Sequence, residues 1–202
     1  MAKGIRPRLV PPGTPMSRPL VAGHLHVGLD WVDGDEVLPL RSHQLHRLGL
    51  TEDQAFELAA EWLEAAAGSD ELRAVDTVDG MWFLSSADGS ASVRIGRLTE
   101  QLEPLGGLLA AVPSRNQLLV VPVDSMTAVD ALRVMASAVG TAFDHASEPV
   151  SDQLFWHDGD DWHLVELHRD LGGDVTVLPP AAFFERVRQV ASMDLVRVVG
   201  EA

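Results

Sequence analysis

Two runs of apolar residues, 108–112 and 118–123, form the clearest pattern in the chain, and a short polar segment separates them. That segment, Pro113-Ser114-Arg115-Asn116, contains residue types that favour tight turns. Neither run alternates polar with apolar positions, so we expect both faces of the resulting β-hairpin to be covered. The pattern predicts two adjacent antiparallel strands in the hydrophobic centre of the protein, with Arg115 at the exposed tip.

Apolar residues at helical spacing indicate helices in several places on either side of this hairpin. Each predicted helix has recognisable start or stop residues, such as a capping box or a glycine. The predicted helices are 51–67, which opens with the capping box Thr51-Glu52-Asp53-Gln54 and ends before Gly68; 127–139; a third that opens with Pro179-Pro180; and a short one over 42–48 that Gly49 stops.

Asp-Gly pairs mark the turns between the remaining apolar runs, because this pair accepts the positive φ values of tight hairpin turns. Hairpins are therefore more frequent than regular β-α-β alternation in the predicted order of elements. This predicts an α+β fold, with a mainly antiparallel sheet and three or more helices packed on it. The four pairs are Asp33-Gly34, Asp79-Gly80, Asp88-Gly89 and Asp158-Gly159.

The first nineteen residues differ in composition from the rest of the chain. They contain five prolines together with Lys3, Arg6, Arg8 and Arg18, which predicts a flexible, Pro/Arg-rich arm over residues 1–19. Residues 20–202 are expected to form a single α+β domain, and a division into two subdomains near 104–107 stays open. No apolar segment follows the basic residues as in a secretory signal, so a cytoplasmic protein is expected.

The charge of the chain limits the classes of partner. Its 30 acidic residues against 15 lysines and arginines give a net charge of −15. Nucleic acids and anionic membranes both attract positive charge, so neither is expected as the main partner, whereas a basic protein fits. The absence of cysteine excludes disulfides, thiolate metal sites and cysteine nucleophiles. The oligomeric state stays open.

His24, His26 and Asp30 are the main argument for an enzyme. The segment His24-Leu25-His26-Val27-Gly28-Leu29-Asp30 resembles the first metal motif of cupins, in which two histidines and a carboxylate bind one ion. Cupins would have a glycine where this chain has Arg18, and no second motif with a third histidine follows. We therefore predict no metal and no cofactor, and keep a metal-dependent or hydrolytic enzyme using these three residues as the alternative.

A second Asp-Gly hairpin region combines aromatic and acidic residues. Trp156 and Trp162 flank Asp158, Asp160 and Asp161, and exposed tryptophans are typical of binding surfaces. We expect these five residues to contact a protein partner. Arg115 is added to this predicted surface, because its guanidinium could bind a carboxylate of a partner in a bidentate manner.

Residues 108–167 resemble part of a family of uncharacterised bacterial α+β proteins, in which a strand, a Pro-Ser-Arg turn, a second strand, a helix and a further hairpin follow one another. The resemblance implies a fold and no activity. Together with the charge, we expect a non-enzymatic acidic protein-binding module of the adaptor, secretion-chaperone-like or immunity type. The matching residues are Val112-Pro113-Ser114-Arg115-Asn116, then Ser151, Leu154, Phe155, Asp158 and Gly159.

Overall fold

The computed structural model describes residues 4–34, 36–66, 72–76, 78–102, 104–170 and 174–200. They form an α+β fold in which all strand pairs are antiparallel, as predicted. The strands are β1 Gly4–Val10, β2 Arg18–Val21, β3 Leu25–Asp33, β4 Glu36–Pro39, β5 Arg73–Ala74, β6 Trp82–Ser85, β7 Leu108–Ser114, β8 Gln117–Pro122, β9 Leu154–His157, β10 Trp162–Arg169 and β11 Val175–Leu178. The helices are α1 Ser42–Leu48, α2 Glu52–Ala65, α3 Ile95–Leu102, α4 Thr127–Asp144 and α5 Ala181–Gly200.

The strands divide into two sheets. The larger sheet has seven strands in the order β11-β10-β9-β7-β8-β6-β5. In the smaller sheet, β1 pairs with one edge of β3, while β2 and β4 pair with successive parts of its other edge. The predicted hairpin of residues 108–123 is confirmed as β7 and β8, which lie in the middle of the larger sheet.

Both faces of the β7–β8 hairpin are buried, as its continuous apolar pattern predicts. One face packs against α4 and α5 through residues such as Leu109 and Val121. The other face packs through Leu108 and Val120 against α3 and the smaller sheet. Other residues of the smaller sheet, such as Ile5 and Leu29, pack with α1 and α2 in a further cluster. The hairpin thus lies between two clusters of the core, one on each of its faces.

The prediction of a flexible arm over residues 1–19 is wrong for the described part of this segment. β1 runs from Gly4 to Val10 and pairs along almost the whole of β3. Its alternation buries Ile5 and Leu9 between half-buried arginines, and this pattern outweighs the prolines. Pro7 is tolerated because β1 is an edge strand, where a missing N–H need not break a ladder. The division into one or two units stays a prediction.

The helices agree with their sequence signals, with two differences. Thr51 caps α2 and forms the predicted capping box with Gln54; the predicted end at Gly68 lies outside the described residues. α4 continues past the predicted end at 139. Gly140 does not end the helix but lies inside it, where its lack of a side chain leaves room for the guanidinium of Arg169. α3 was not predicted.

Three of the four Asp-Gly pairs lie between strands that pair with each other, as expected. The fourth, Asp88-Gly89, does not form a hairpin, because it leads from β6 into a 3-10 turn, Ser92–Arg94, and then into α3. It places Gly89 against the β7–β8 turn, where it contributes to the candidate site.

Candidate functional site

A buried carboxylate connects the two sheets. Asp30, at the centre of β3, is 1% exposed, and its two oxygens face different arginines. Oδ1 lies 3.1 Å from Nε of Arg8 on β1, and Oδ2 accepts a hydrogen bond of 2.6 Å from Nη2 of Arg115. Arg115 also lies 3.7 Å from Glu148. We call these four residues the Asp30 cluster; they join the smaller sheet to the β7–β8 turn.

The expectation of an exposed Arg115 that a partner could contact is wrong. Its side chain is only 17% exposed and folds back onto Asp30. Gly89 makes this possible, because a Cβ at that position would lie 2.7 Å from Nε of Arg115. Burial raises the pKa of Asp30, and the neighbouring guanidinium groups of Arg115 and Arg8 oppose that rise.

The structure does not bring His24, His26 and Asp30 together as a metal site. Both oxygens of Asp30 are engaged by arginines, and four strand residues, roughly 13 Å at the usual rise, separate it from His26. His26 Nδ1 lies 2.9 Å from Oγ of Ser17, while His24 is exposed beside the ring of Phe155. Within the described residues, no group of three or more His, Asp or Glu side chains is arranged to hold a metal ion.

An open cleft of about 370 Å³ adjoins the Asp30 cluster. Its charged walls are Arg6, Arg115, Asp88 and Glu148. The arginine side chains are 16% and 17% exposed, whereas those of Asp88 and Glu148 are 41% and 58% exposed. The two carboxylates of the cleft are therefore more exposed to solvent than its two arginines.

The β9–β10 hairpin does not present both tryptophans to solvent. Trp156 is 1% exposed, which contradicts its predicted role in partner binding. Its indole N–H donates a 3.1 Å hydrogen bond to the carbonyl oxygen of Gly106, and its ring packs edge-on against Phe183 of α5. Trp162 is half-buried and packs against His157. At the acidic end of this hairpin, Asp160 and Asp161 are exposed, and their role in partner binding stays a prediction.

That acidic end is a tightly hydrogen-bonded turn, which we call the acidic tip, residues 158–161. One oxygen of Asp158 accepts 2.9 Å hydrogen bonds from the backbone N–H groups of Asp160 and Asp161. Its other oxygen lies 2.8 Å from Nε2 of His163. The side chains of Asp160 and Asp161 are exposed. The acidic tip therefore has one carboxylate that shapes the turn and two that face solvent.

The ionisation of Asp158 is linked to the stability of this turn. Burial alone would raise its pKa, but the hydrogen bonds from Asp161, Asp160 and His163 outweigh burial and lower the pKa to about 2. Because the folded value is depressed, the stabilisation is present above the ordinary value of 3.8 and is lost as pH falls towards 2. We expect Asp158→Asn to reduce the loss of stability between pH 4 and pH 2, as measured by urea unfolding. Asp160→Asn is the matched control, and an equal effect of both variants would contradict this role of Asp158.

Sequence reasoning missed the arginines that hold Asp30. Arg8 was assigned to the flexible arm, although its alternation with Ile5 and Leu9 is a strand signal that could have placed it. Arg115 and Asp30 are 85 residues apart, and no local pattern connects them.

Comparison of the chain with known protein families, curated proteins and solved structures gave no match. The fold and the contacts define an antiparallel α+β protein with a buried ion cluster, and the resemblance over residues 108–167 stays a prediction. In the part of the chain that the structure describes, every helix is too short or too polar to cross a membrane.

Proposed function

We propose that this chain is a non-enzymatic, acidic protein-binding module that engages a protein partner with a basic surface. The observation that carries the proposal is the set of contacts that the arginines of the chain make. Most described arginines contact groups of the chain itself, which leaves the excess of carboxylates to face solvent. These contacts are Arg8 and Arg115 with Asp30, Arg18 with Asp53, Arg97 with Glu64, Arg6 with the ring of Trp62, and Arg94, Arg169 and Arg186 with the carbonyls of Ala66, Ala136 and Asp158.

A surface of this kind favours one class of partner. The net charge of −15 attracts a basic surface over long distances and speeds association with it. It opposes the approach of nucleic acid or of an anionic membrane. We place the protein in the cytoplasm, as an adaptor or as a secretion-chaperone-like or immunity-type protein.

Within this surface, the acidic tip is our proposed contact. Asp160 and Asp161 are exposed on a turn whose shape is fixed by Asp158, so the backbone that carries their carboxylates is held in place without a partner. Arg186 of α5 donates a 3.2 Å hydrogen bond to the carbonyl oxygen of Asp158 and steadies the turn further. The alternative, an enzyme that uses His24, His26 and Asp30, has no geometric support in the described residues.

The proposal is tested by panning a phage-displayed library of random 12-residue peptides against the immobilised chain. We expect the enriched peptides to be basic. Their synthetic copies should bind at least about tenfold more weakly at 1 M than at 0.1 M salt, because the Debye length falls from about 10 to about 3 Å. Enrichment of neutral or acidic peptides, or no enrichment at all, would contradict the proposed function.

A pair of variants with equal changes in charge locates the contact. Replacing Asp160 and Asp161 with lysine should weaken the binding of the basic peptides by about tenfold. The matched control replaces Glu52 and Glu57, which are exposed on α2. If both variants weaken binding equally, the total charge matters and the acidic tip is not the contact.

A further inference from the structure

β11 lies at one end of the seven-stranded sheet and has an open outer edge. It pairs with β10 from Val175 to Leu178, and no other described strand pairs with it. Open edges with unpaired backbone groups can accept a strand from another chain. Whether a strand can pair with β11 depends on which of its backbone N–H and carbonyl groups point outward.

The hydrogen-bond pattern of the β10–β11 ladder shows which residues of β11 direct their backbone groups outward. The N–H of Asp170 donates to the carbonyl oxygen of Asp174 at 3.1 Å, so these two residues are a hydrogen-bonded pair. Hydrogen-bonded and non-hydrogen-bonded pairs alternate in an antiparallel ladder. Thr176 and Leu178 therefore direct their backbone groups towards β10. Val175 and Val177 direct theirs outward, which gives two N–H donors and two carbonyl acceptors along the edge.

One edge strand of the smaller sheet, β4, offers less. In β4, the N–H of Leu40, just beyond the strand, donates to Leu29 on β3, so the outward positions are Val37 and Pro39. Pro39 has no N–H, which leaves Val37 as the donor within this strand. Proline is one of the means by which proteins protect edge strands from pairing. β11 has no proline within its four residues.

The charges around β11 indicate what occupies it. Glu166, Asp170 and Asp174 are exposed at this edge of the sheet, and His168, opposite Thr176, lies 3.4 Å from Glu166. The guanidinium of Arg169 is turned onto α4, 3.5 Å from the carbonyl oxygen of Ala136. A second copy of the chain would bring the same carboxylates together and oppose a charge of −15 with −15. A basic segment meets no such repulsion.

We propose that the outer edge of β11 binds an extended, basic segment of a partner protein by strand addition. This inference rests on the proposed function and specifies the form in which the partner binds. The backbone of the segment pairs with Val175 and Val177, whose side chains pack on the side of the sheet that α4 covers. Side chains of the segment on that side are apolar. Those on the other side, next to Thr176 and Glu166, are lysine or arginine.

The acidic tip extends this charge pattern. Trp162, the first residue of β10, follows the acidic tip directly. It lies four residues, roughly 13 Å at the usual strand rise, from Glu166, which pairs with Leu178. A segment on β11 that extends towards the acidic tip therefore approaches Asp160 and Asp161 as well. Strand addition and the acidic tip are two parts of one binding surface.

The test measures binding of the full chain to a synthetic heptapeptide, Lys-Val-Lys-Val-Lys-Val-Lys with blocked ends, by fluorescence anisotropy. Val177→Pro removes an outward N–H without removing a bond to β10, and we expect it to weaken binding at least about tenfold. Val177→Ala trims the same side chain but keeps the N–H, and should retain most of the affinity. Circular dichroism and thermal unfolding check that both variants fold.

A second measurement does not depend on the folding of a variant. The same heptapeptide with N-methyl groups on two adjacent central residues cannot pair well through either edge, and should bind the unaltered chain at least about tenfold more weakly. No binding of the unmethylated peptide would overturn the proposal. Equal binding of the methylated peptide, or of Val177→Pro, would overturn strand addition while leaving the acidic protein-binding function in place.

Sedimentation of the chain without peptide tests the competing occupant. We expect the same monomeric mass for the unaltered chain and for Val177→Pro. A dimer that Val177→Pro converts to a monomer would assign the β11 edge to a second copy and overturn the proposal.

Discussion

Replacing Asp30 with alanine is expected to lower the free energy of unfolding by about 3–5 kcal/mol, the usual cost of removing one partner from a buried ion pair. The variant leaves Arg8 and Arg115 facing each other across the space of the carboxylate. Their positive charges then repel each other, and the contact between the smaller sheet and the β7–β8 turn is lost. Urea unfolding followed by circular dichroism measures the change.

Glu148 provides the control for this prediction. It belongs to the same cluster, but its side chain is 58% exposed and lies 3.7 Å from Arg115. Exposed ion pairs contribute up to about 1 kcal/mol, so Glu148→Ala should have a small effect. If Asp30→Ala cost no more than Glu148→Ala, the Asp30 cluster would not hold the two sheets together.

Gly107→Ala is the second substitution for which we expect a large loss of stability. Gly107 precedes β7 with φ +89°, and a Cβ there would overlap the carbonyl oxygen of His157 and lie 2.9 Å from the indole nitrogen of Trp156. The backbone strain of about 1–2 kcal/mol and the overpacking of about 1–3 kcal/mol together predict a loss of about 2–5 kcal/mol.

Gly80→Ala separates the two contributions. Gly80 also has a positive φ, +74°, but a Cβ there would meet no atom within 4 Å. Its substitution should therefore cost about 1–2 kcal/mol, from backbone strain alone. Equal losses for both variants, measured by chemical unfolding, would show that the close approach at Gly107 is not tight.

Local patterns in the sequence predicted the parts of the fold that depend on neighbouring residues. The apolar runs of 108–123 and the capping box at Thr51 correspond to β7, β8 and α2. The arm of residues 1–19 was interpreted wrongly because its prolines were given more weight than the alternation of Ile5 and Leu9. Proline excludes a residue from a central strand, but an edge strand such as β1 accepts it.

The candidate site was harder to predict because it depends on contacts between distant residues. Trp156 has polar neighbours in sequence and was expected at the surface, but it lies on a strand between two others in the larger sheet. The residues next to Trp156 in the sequence do not indicate that Phe183, on α5, packs against its ring. Sequence patterns do not predict the open edge of β11 either, because it depends on the order of the strands in the folded sheet.

The ion pair between Asp30 and Arg115 also sets a time constraint on the synthesis of the protein. Asp30 leaves the ribosome 85 residues before Arg115, a delay of roughly 4–17 s at about 5–20 residues per second. During this delay β1, β3, α1 and α2 can pack together, because their contacts lie within the first third of the chain. Leu9, Val21 and Leu25 of the nascent sheet stay without the β7–β8 hairpin that later covers them. The growing chain thus exposes an apolar surface for seconds, and a chaperone that binds such surfaces would have its main opportunity in this interval.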